Sequence, residues 1–455
     1  MNKIRTMLNM VTGCAKFISE TVGNVFRIIR SPTKSVKWLY GISFYRNSAY
    51  LIANSGLTLL LGFIFNVLIA RIYSASDVGY AAALISVLNF LGFTGTLGLG
   101  YYVVRYLPAA NEKAKLLNSL ITVAGIMALA VCLIFIAGIS WWSPKLLFLV
   151  HEPYFLITFV IVGVAITVYT IVTQVFISFR KAGYTFFSQG VIASGLELVL
   201  VVILGSFGVF GVVFSQAIGL LVALTVCILV FLPAVIPHYR PIPAVQWRAT
   251  RATMSYSFAN YAADALMNLP VWVLSLLILN TYGAAANAYF YLAWTMSTVL
   301  WAIAYAISIS LFAEGAHEAG NVSGDIVRSL KLILLIVLPA TVIMVVFSDK
   351  LLLLYGVTYS KEGTTLLRLF SLSALPAGIN LLYISLARIE KWLKHLLFIN
   401  GAMAVFTIVS TCLLLPHFGI VGAGVARLSV QTLMLLFTVP KLVQRAKMRN
   451  VDVIP

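Results

Sequence analysis

Residues Ser48 to Arg105 constrain this chain more than any other stretch. They read SAYLIANSGLTLLLGFIFNVLIAR, then IYSASDVG, then YAAALISVLNFLGFTGTLGLGYYVVR. Each flank is long enough to cross a bilayer, which takes about 20 mostly apolar residues. The break holds Tyr73, Ser74, Asp77 and Gly79, types that favour turns or interfaces. The stretch therefore reads as a transmembrane hairpin, with Arg71 closing its first member and Arg105 its second.

The same pattern continues along the chain. Apolar stretches at roughly 48–71, 79–105, 115–140, 153–179, 186–207, 211–236, 254–280, 286–312, 326–348, 363–387, 393–416 and 419–441 predict twelve spans. The gaps between them are too short to hold a soluble domain. With 61% hydrophobic and 10% charged residues, the chain lacks the polar surface a water-facing fold needs. The mean hydropathy is +1.02. The expected class is an all-α polytopic membrane protein of about 12 helices.

The net charge of +18 would suggest nucleic acid in a soluble protein. Here its placement gives a plainer cause. With the N-terminus inside, about 25 of the 31 Lys and Arg residues fall in inner segments, among them Arg180, Lys181, Arg388, Lys391 and Lys394. The outer segments hold Arg71, Lys145, Lys350, Lys361 and Arg368. The expectation is a multi-pass plasma-membrane protein with both termini cytoplasmic and no nucleic-acid partner. The four cysteines have neither disulfide nor metal spacing, and the five histidines are scattered in loops or at span ends, so no metal site is expected.

Residues 1–47 lack the continuous apolar core of a cleavable signal peptide. Ile4, Leu8, Val11, Ala15, Ile18, Val22, Val25 and Ile29 recur with helical spacing, and basic residues lie off the stripe. A basic amphipathic segment resting on the anionic inner leaflet is predicted. After it come a first lobe at 48–236, a linker at 237–253 containing PHYRPIPAVQWRATR, a second lobe at 254–441 and a tail at 442–455. The lobes echo each other at an offset of about 210 residues. Tyr282 and Tyr289 stand where Tyr73 and Tyr80 stood, and FGVFGVVFSQ (Phe207 to Gln216) recurs as FGIVGAGVAR (Phe418 to Arg427). Six spans per half give parallel repeats, which places a site between two pseudo-symmetric lobes.

No phosphate loop, HExxH or GxSxG motif is present. Polar groups inside the spans are the informative ones, because burying them in hydrocarbon is costly. Arg427 falls within span 12 where the first half has Gln216, so the fold does not require its charge. Guanidinium forks match phosphate oxygens, which makes Arg427, Arg71, Arg105 and Arg368 candidates for an anion site. Asp264 and Glu197 are embedded carboxylates suited to a coupling ion or to neutralising an arginine. Asn260 and Asn268 flank Asp264, Asn66 lies in span 1, and Pro270 is a candidate hinge because proline removes a helix hydrogen bond. No catalytic residue and no cofactor are expected.

ARIYSASDVGYAAAL (Ala70 to Leu84) and LGLGYYVVRYLP (Leu97 to Pro108) resemble the Wzx-type oligosaccharide flippases. So do YSFANYAADALMNLPVWVLSLLILNTYG (Tyr256 to Gly283) and ISLFAEGAHE (Ile309 to Glu318). These belong to the multidrug, oligosaccharidyl-lipid and polysaccharide exporter superfamily, and the likeness covers residues 46–445. It implies two six-helix lobes around a V-shaped cation-lined cavity, and a polyprenyl-linked oligosaccharide moved between leaflets by alternating access. Related peptidoglycan-precursor flippases use arginines of their first two spans for the pyrophosphate, for which Arg71 and Arg105 are the nearest residues. The resemblance also admits a glycan polymerase or glycosyltransferases as partners. Two rivals stay open. One is a cation-coupled drug exporter resting on Asp264 and Glu197. The other is a membrane glycosyltransferase or polymerase, against which the short loops speak.

Overall fold

In hydrocarbon every backbone N–H and C=O needs a partner within the chain, so a sequence this apolar is confined to helices or a closed barrel. The computed structural model describes residues 43–244, 247–317, 322–390 and 392–447. Among these there is no strand, and 12 helices are long and apolar enough to span a bilayer. They are numbered here as spans 1 to 12: Tyr50–Ile72, Ala75–Gly95, Lys113–Ala137, Pro153–Ser178, Ala182–Ile203, Val209–Val235, Tyr261–Tyr282, Ala284–Phe312, Ser323–Val346, Val357–Ile389, Lys394–Phe418 and Val421–Ala446. The amphipathic segment predicted at 1–47 lies outside the described residues, apart from a helical start at Ser43 that runs on into span 1.

Span 2 departs from its predicted limits. It starts early, at Ala75, because the Ser74 hydroxyl accepts a hydrogen bond from the Asp77 N–H at 3.1 Å and caps the helix. It stops early, at Gly95. Leu97 (φ 48°) and Gly98 (φ 72°) enter the left-handed region, where glycine carries no steric cost. A separate short helix, Leu99–Tyr106, then carries Tyr101 and Arg105.

The duplication is visible in individual bonds. The Tyr73 hydroxyl donates to the Val201 carbonyl of span 5 at 2.7 Å. Its echo Tyr282 donates to the Leu415 carbonyl of span 11. Gly208 and Gly419, in the repeated FG pair, hold φ values of 55° and 57°. Each half thus ties the end of its first span to its fifth and opens its sixth with the same backbone turn.

The connections after odd-numbered spans lie on one face, the turn face. Those after even-numbered spans lie on the other, the basic face, where Arg180, Lys181 and Arg240 are found. At the turn face the halves are pressed together. A Cβ on Gly79 would sit 1.7 Å from the Ala284 carbonyl oxygen. Asn287 Nδ2 donates to the Gly79 carbonyl at 2.7 Å, and Ser275 Oγ donates to Asn287 Oδ1 at 3.0 Å. One apolar core here draws on both halves, including Val78, Leu84, Leu279, Phe290 and Leu352. Toward the basic face the core divides. Leu99, Leu117, Val172 and Cys227 pack in the first half, and Leu300, Ile333, Tyr383 and Leu396 in the second. The halves thus share one core at the turn face and keep separate cores toward the basic face, where contacts such as Phe93 on Tyr261 still join them.

Candidate functional site

A cavity of about 210 Å³ lies within the second half, walled by spans 7, 8, 10, 11 and 12. The sequence places the site between the halves; this cavity borders that seam at Trp272, and a second, apolar cavity of about 270 Å³ lies in the seam itself between Phe90, Phe135, Trp142 and Trp272. Small residues on the facing helices, Ser297, Ser373, Ala377 and Ala404, leave space inside the second half. On the interlobe side, Phe93 stacks on Tyr261 at 5.0 Å between ring centres, and Phe90 and Phe93 both lie 5.5 Å from Trp272. These aromatic contacts bridge the halves beside the cavity.

Arg427 projects into this cavity from span 12. Its Nε donates to Ser373 Oγ at 3.3 Å, and its guanidinium carbon lies 4.0 Å over the Trp294 ring. Such stacking is favourable but does not neutralise charge. Among the described residues no carboxylate lies within ion-pair distance of it. A guanidinium carries five N–H donors, so most of them are available to a ligand. Partly buried, uncompensated positive charge in a low-dielectric site favours an anion strongly.

The rest of the lining suits a polyhydroxylated group. Asn400 Nδ2 donates to the Ala263 carbonyl at 3.0 Å, which leaves its Oδ1 buried without a partner. Asn380 is held by both the Gln431 carbonyl and side chain, at 3.0 and 2.9 Å, and accepts from Thr438 at 2.8 Å. Trp272, Trp294 and Trp301 offer flat apolar walls. Span 7 runs through Pro270 as an unbroken helix, and Pro270 and Leu266 both line the cavity. Proline has no N–H to offer the Leu266 carbonyl four residues back.

The other arginines singled out in the sequence are employed elsewhere. Arg71 donates to the Leu354 and Leu353 carbonyls at 2.9 and 2.7 Å, tying span 1 to the end of a short helix before span 10. Arg368 is exposed and donates to the Val345 carbonyl at 3.3 Å. Arg105 is exposed near the basic face and lies over the Tyr106 ring at 5.3 Å. Of the four, Arg427 alone lines the cavity.

Asp264 accepts from Arg388 Nη2 at 2.8 Å and from the Tyr101 hydroxyl. Tyr101 belongs to the first half, so this cluster ties the two halves near the basic face. Asn268 Nδ2 turns back to the Asp264 carbonyl at 2.9 Å, and its side chain also borders the cavity. Asn260 lies on the span 7 helix, and its side chain falls outside the described ones. Asn66 Nδ2 reaches Thr295 Oγ1 of span 8 at 3.3 Å, with Oδ1 unpartnered. Glu197 accepts from Gln216 Nε2 at 2.7 Å and meets no cation among the described residues. Sequence reasoning missed Arg388, Asn380, Asn400 and Gln431. Arg388 looked like one more loop cation, and the amides carried no distinguishing spacing.

Two like halves of six spans, with an arginine that has no carboxylate partner among the described residues, define a two-lobed polytopic membrane protein. Solved structures share this fold. An inward-facing MATE family multidrug resistance transporter of the MOP superfamily is similar over 89% of this chain and 99% of that one, with a TM-score of 0.67 and 12% identity. The lipid II flippase MurJ, in an inward closed conformation, is similar over 89% and 90%, with a TM-score of 0.70 and 14% identity. A MOP superfamily transporter from Pyrococcus furiosus follows at 92% and 99%, with a TM-score of 0.52 and 10% identity. No curated protein matches the chain well enough to count as a relative. The sequence pattern of the polysaccharide biosynthesis protein family matches residues 68–362, more than half of the chain. The chain belongs to that family.

Proposed function

We propose that this protein is a flippase that carries a polyprenyl phosphate- or pyrophosphate-linked oligosaccharide from the inner to the outer leaflet, for assembly of a surface polysaccharide. The observation that carries this reading is Arg427, a cation without a carboxylate partner in an aromatic, amide-bearing cavity. Membership of a polysaccharide biosynthesis family and the likeness to a lipid II flippase support it. The basic face is the cytoplasmic one, by the excess of Lys and Arg there. In this orientation the ends of the halves with separate cores, joined by the Tyr101–Asp264 tie, face the cytoplasm, where a lipid-linked glycan is made available.

The mechanism follows from charge. The anionic part of the cargo binds at Arg427 while the polyprenyl tail stays in lipid. The halves part at the basic face, releasing the Tyr101–Asp264 tie, to admit the cargo, then close there and part at the turn face, by alternating access. Moving negative charge outward across 100 mV gains about 2.3 kcal/mol per charge. Asp264 is neutralised by Arg388, which leaves Glu197 as the carboxylate free to exchange a proton during the cycle. A cation-coupled drug exporter is the second reading, favoured by that same unmatched Glu197 and the MATE likeness.

The test is complementation of surface glycan export in cells lacking the gene. Losing one charge-assisted arginine contact costs about 1.5–3 kcal/mol, so Arg427→Ala is expected to weaken cargo binding roughly 10- to 100-fold. Arg427→Lys is expected to be impaired too, since an ammonium cannot form the bidentate fork. Export at the wild-type level in both variants would remove the anion site. Resistance to cationic dyes lost in Glu197→Gln would instead favour the exporter.

A further inference from the structure

Arg427 is far from where a lipid cargo begins. From Arg427 to the basic-face end of span 12 at Ala446 there are about 19 residues, or roughly 28 Å of helix. A carrier lipid resting in the leaflet at that face keeps its phosphate at headgroup level, so another group meets the phosphate first. We propose that this group is a cleft at the basic-face ends of spans 1 and 5, lined by Tyr50, Arg180, Lys181, Tyr184 and Phe187, which binds the phosphate or pyrophosphate of a membrane-anchored lipid.

Three observations converge on this cleft. The first is unmatched charge. On the same face Lys115 pairs with Glu112 at 2.6 Å, Arg388 with Asp264 at 2.8 Å and Arg445 with Glu390 at 2.6 Å, whereas Lys113, Arg240, Lys331, Lys394 and Lys441 have no carboxylate within ion-pair distance among the described residues. Arg180 and Lys181 have no carboxylate within such reach among the described residues.

The second is backbone conformation. The Lys181 N–H bonds the Phe176 carbonyl at 2.7 Å and the Arg180 N–H bonds the Ile177 carbonyl at 3.0 Å. This is the paired closure of a helix end that normally places glycine in the left-handed position. Arg180 occupies that position with φ 56°. A side chain with a Cβ is disfavoured there; among the described non-glycine residues only Leu97 and His238 share it. Glycine would fit the turn better, and arginine is what the chain has.

The third is the setting. Tyr50, Tyr184 and Phe187 are residues of the membrane interface, and Phe187 is half exposed. The Tyr50 ring lies against the first turn of span 5, since a Cβ on Gly183 would meet it at 3.5 Å. The cleft of about 380 Å³ is thus walled by aromatic rings and floored by two adjacent cations. A guanidinium fork beside an ammonium fits phosphate oxygens. The phosphate chemistry stands on these observations alone. Naming the cargo as its source rests on the flippase reading.

The test uses the full chain in phosphatidylcholine nanodiscs, with dissociation constants measured for polyprenyl pyrophosphate, phosphatidylglycerol and uncharged polyprenol. Arg180→Gly is expected to keep or raise the melting temperature while weakening pyrophosphate binding roughly tenfold. Polyprenol binding is expected to be unchanged. Lys181→Ala, which leaves the turn intact, is expected to weaken pyrophosphate binding as well. Preference for polyprenyl pyrophosphate over phosphatidylglycerol identifies the cargo as the source, and equal binding identifies bulk anionic lipid. Wild-type affinity for both phosphate lipids in both variants would overturn the proposal. Normal glycan export in cells lacking the gene would end the flippase reading and leave these binding results standing.

Discussion

Tyr101→Phe is the cleanest perturbation of the link between the two halves. The hydroxyl of Tyr101 donates to Asp264 across the two halves, while Asp264 and Arg388 both belong to the second half. Removing the hydroxyl keeps the ring, the ion pair and every helix, and cuts only the polar tie. A hydrogen bond to a charged group is worth about 1.5–3 kcal/mol when dry. Tyr101 is 39% exposed and the Asp264 side chain 19% exposed, so water screens the contact. A discounted value of about 1 kcal/mol is appropriate, which corresponds to a roughly fivefold shift toward molecules open at the basic face. Ser297→Cys in the cavity reports that shift, in a background with Cys14 and Cys412 replaced by Ser. Labelling by a membrane-impermeant maleimide from the basic face is expected to quicken about fivefold with Tyr101→Phe. An unchanged rate would show that the tie contributes nothing to closure and would refute the gating argument.

The remaining predictions concern packing and coupling. Gly79→Ala places a Cβ 1.7 Å from a backbone oxygen of the other half, so a loss of about 1–3 kcal/mol is expected, read as a lower melting temperature with more labelling from the turn face. Tyr73→Phe and Tyr282→Phe each remove one equivalent bond, and each is expected to cost about 1 kcal/mol in thermal melts. Clearly unequal losses would speak against equivalent roles in the two halves. Glu197→Gln keeps a partner for Gln216 and is expected to fold normally while export loses its response to an imposed pH gradient. A persisting response would exclude Glu197 from coupling.

The architecture was legible because lipid leaves a helix few alternatives, so run length alone located the twelve spans. The duplication was legible at residues whose role is backbone geometry or a fixed bond. Tyr73 and Tyr282 make the same contact, and Gly208 and Gly419 take the same turn. The break at Leu97 and Gly98 was written in TGTLGLG, but glycines within a span serve close packing as readily as a left-handed turn. For the site, comparing Arg427 with Gln216 isolated the buried cation before any geometry. For Asp264 the sequence offered both a coupling ion and the neutralising of an arginine without naming the arginine, because Arg388 lies 124 residues away along the chain. Nor did it show that Arg71 donates to the carbonyls of Leu353 and Leu354, which lie more than 280 residues along the chain. Which face of a span an amide such as Asn400 presents depends on the rotation of the helix in the bundle, and apolar runs without a strong stripe do not encode that.

The central claim is that an unneutralised arginine in the second half lets this protein turn a negatively charged glycolipid over. Its most direct test is leaflet exchange in proteoliposomes, using lipid-linked glycan extracted from cells that lack the gene. The purified protein is expected to move the glycan to the opposite leaflet, and the Arg427→Ala protein to do so at less than about a tenth of that rate. Equal rates for the two proteins, or no exchange by either, would contradict the account.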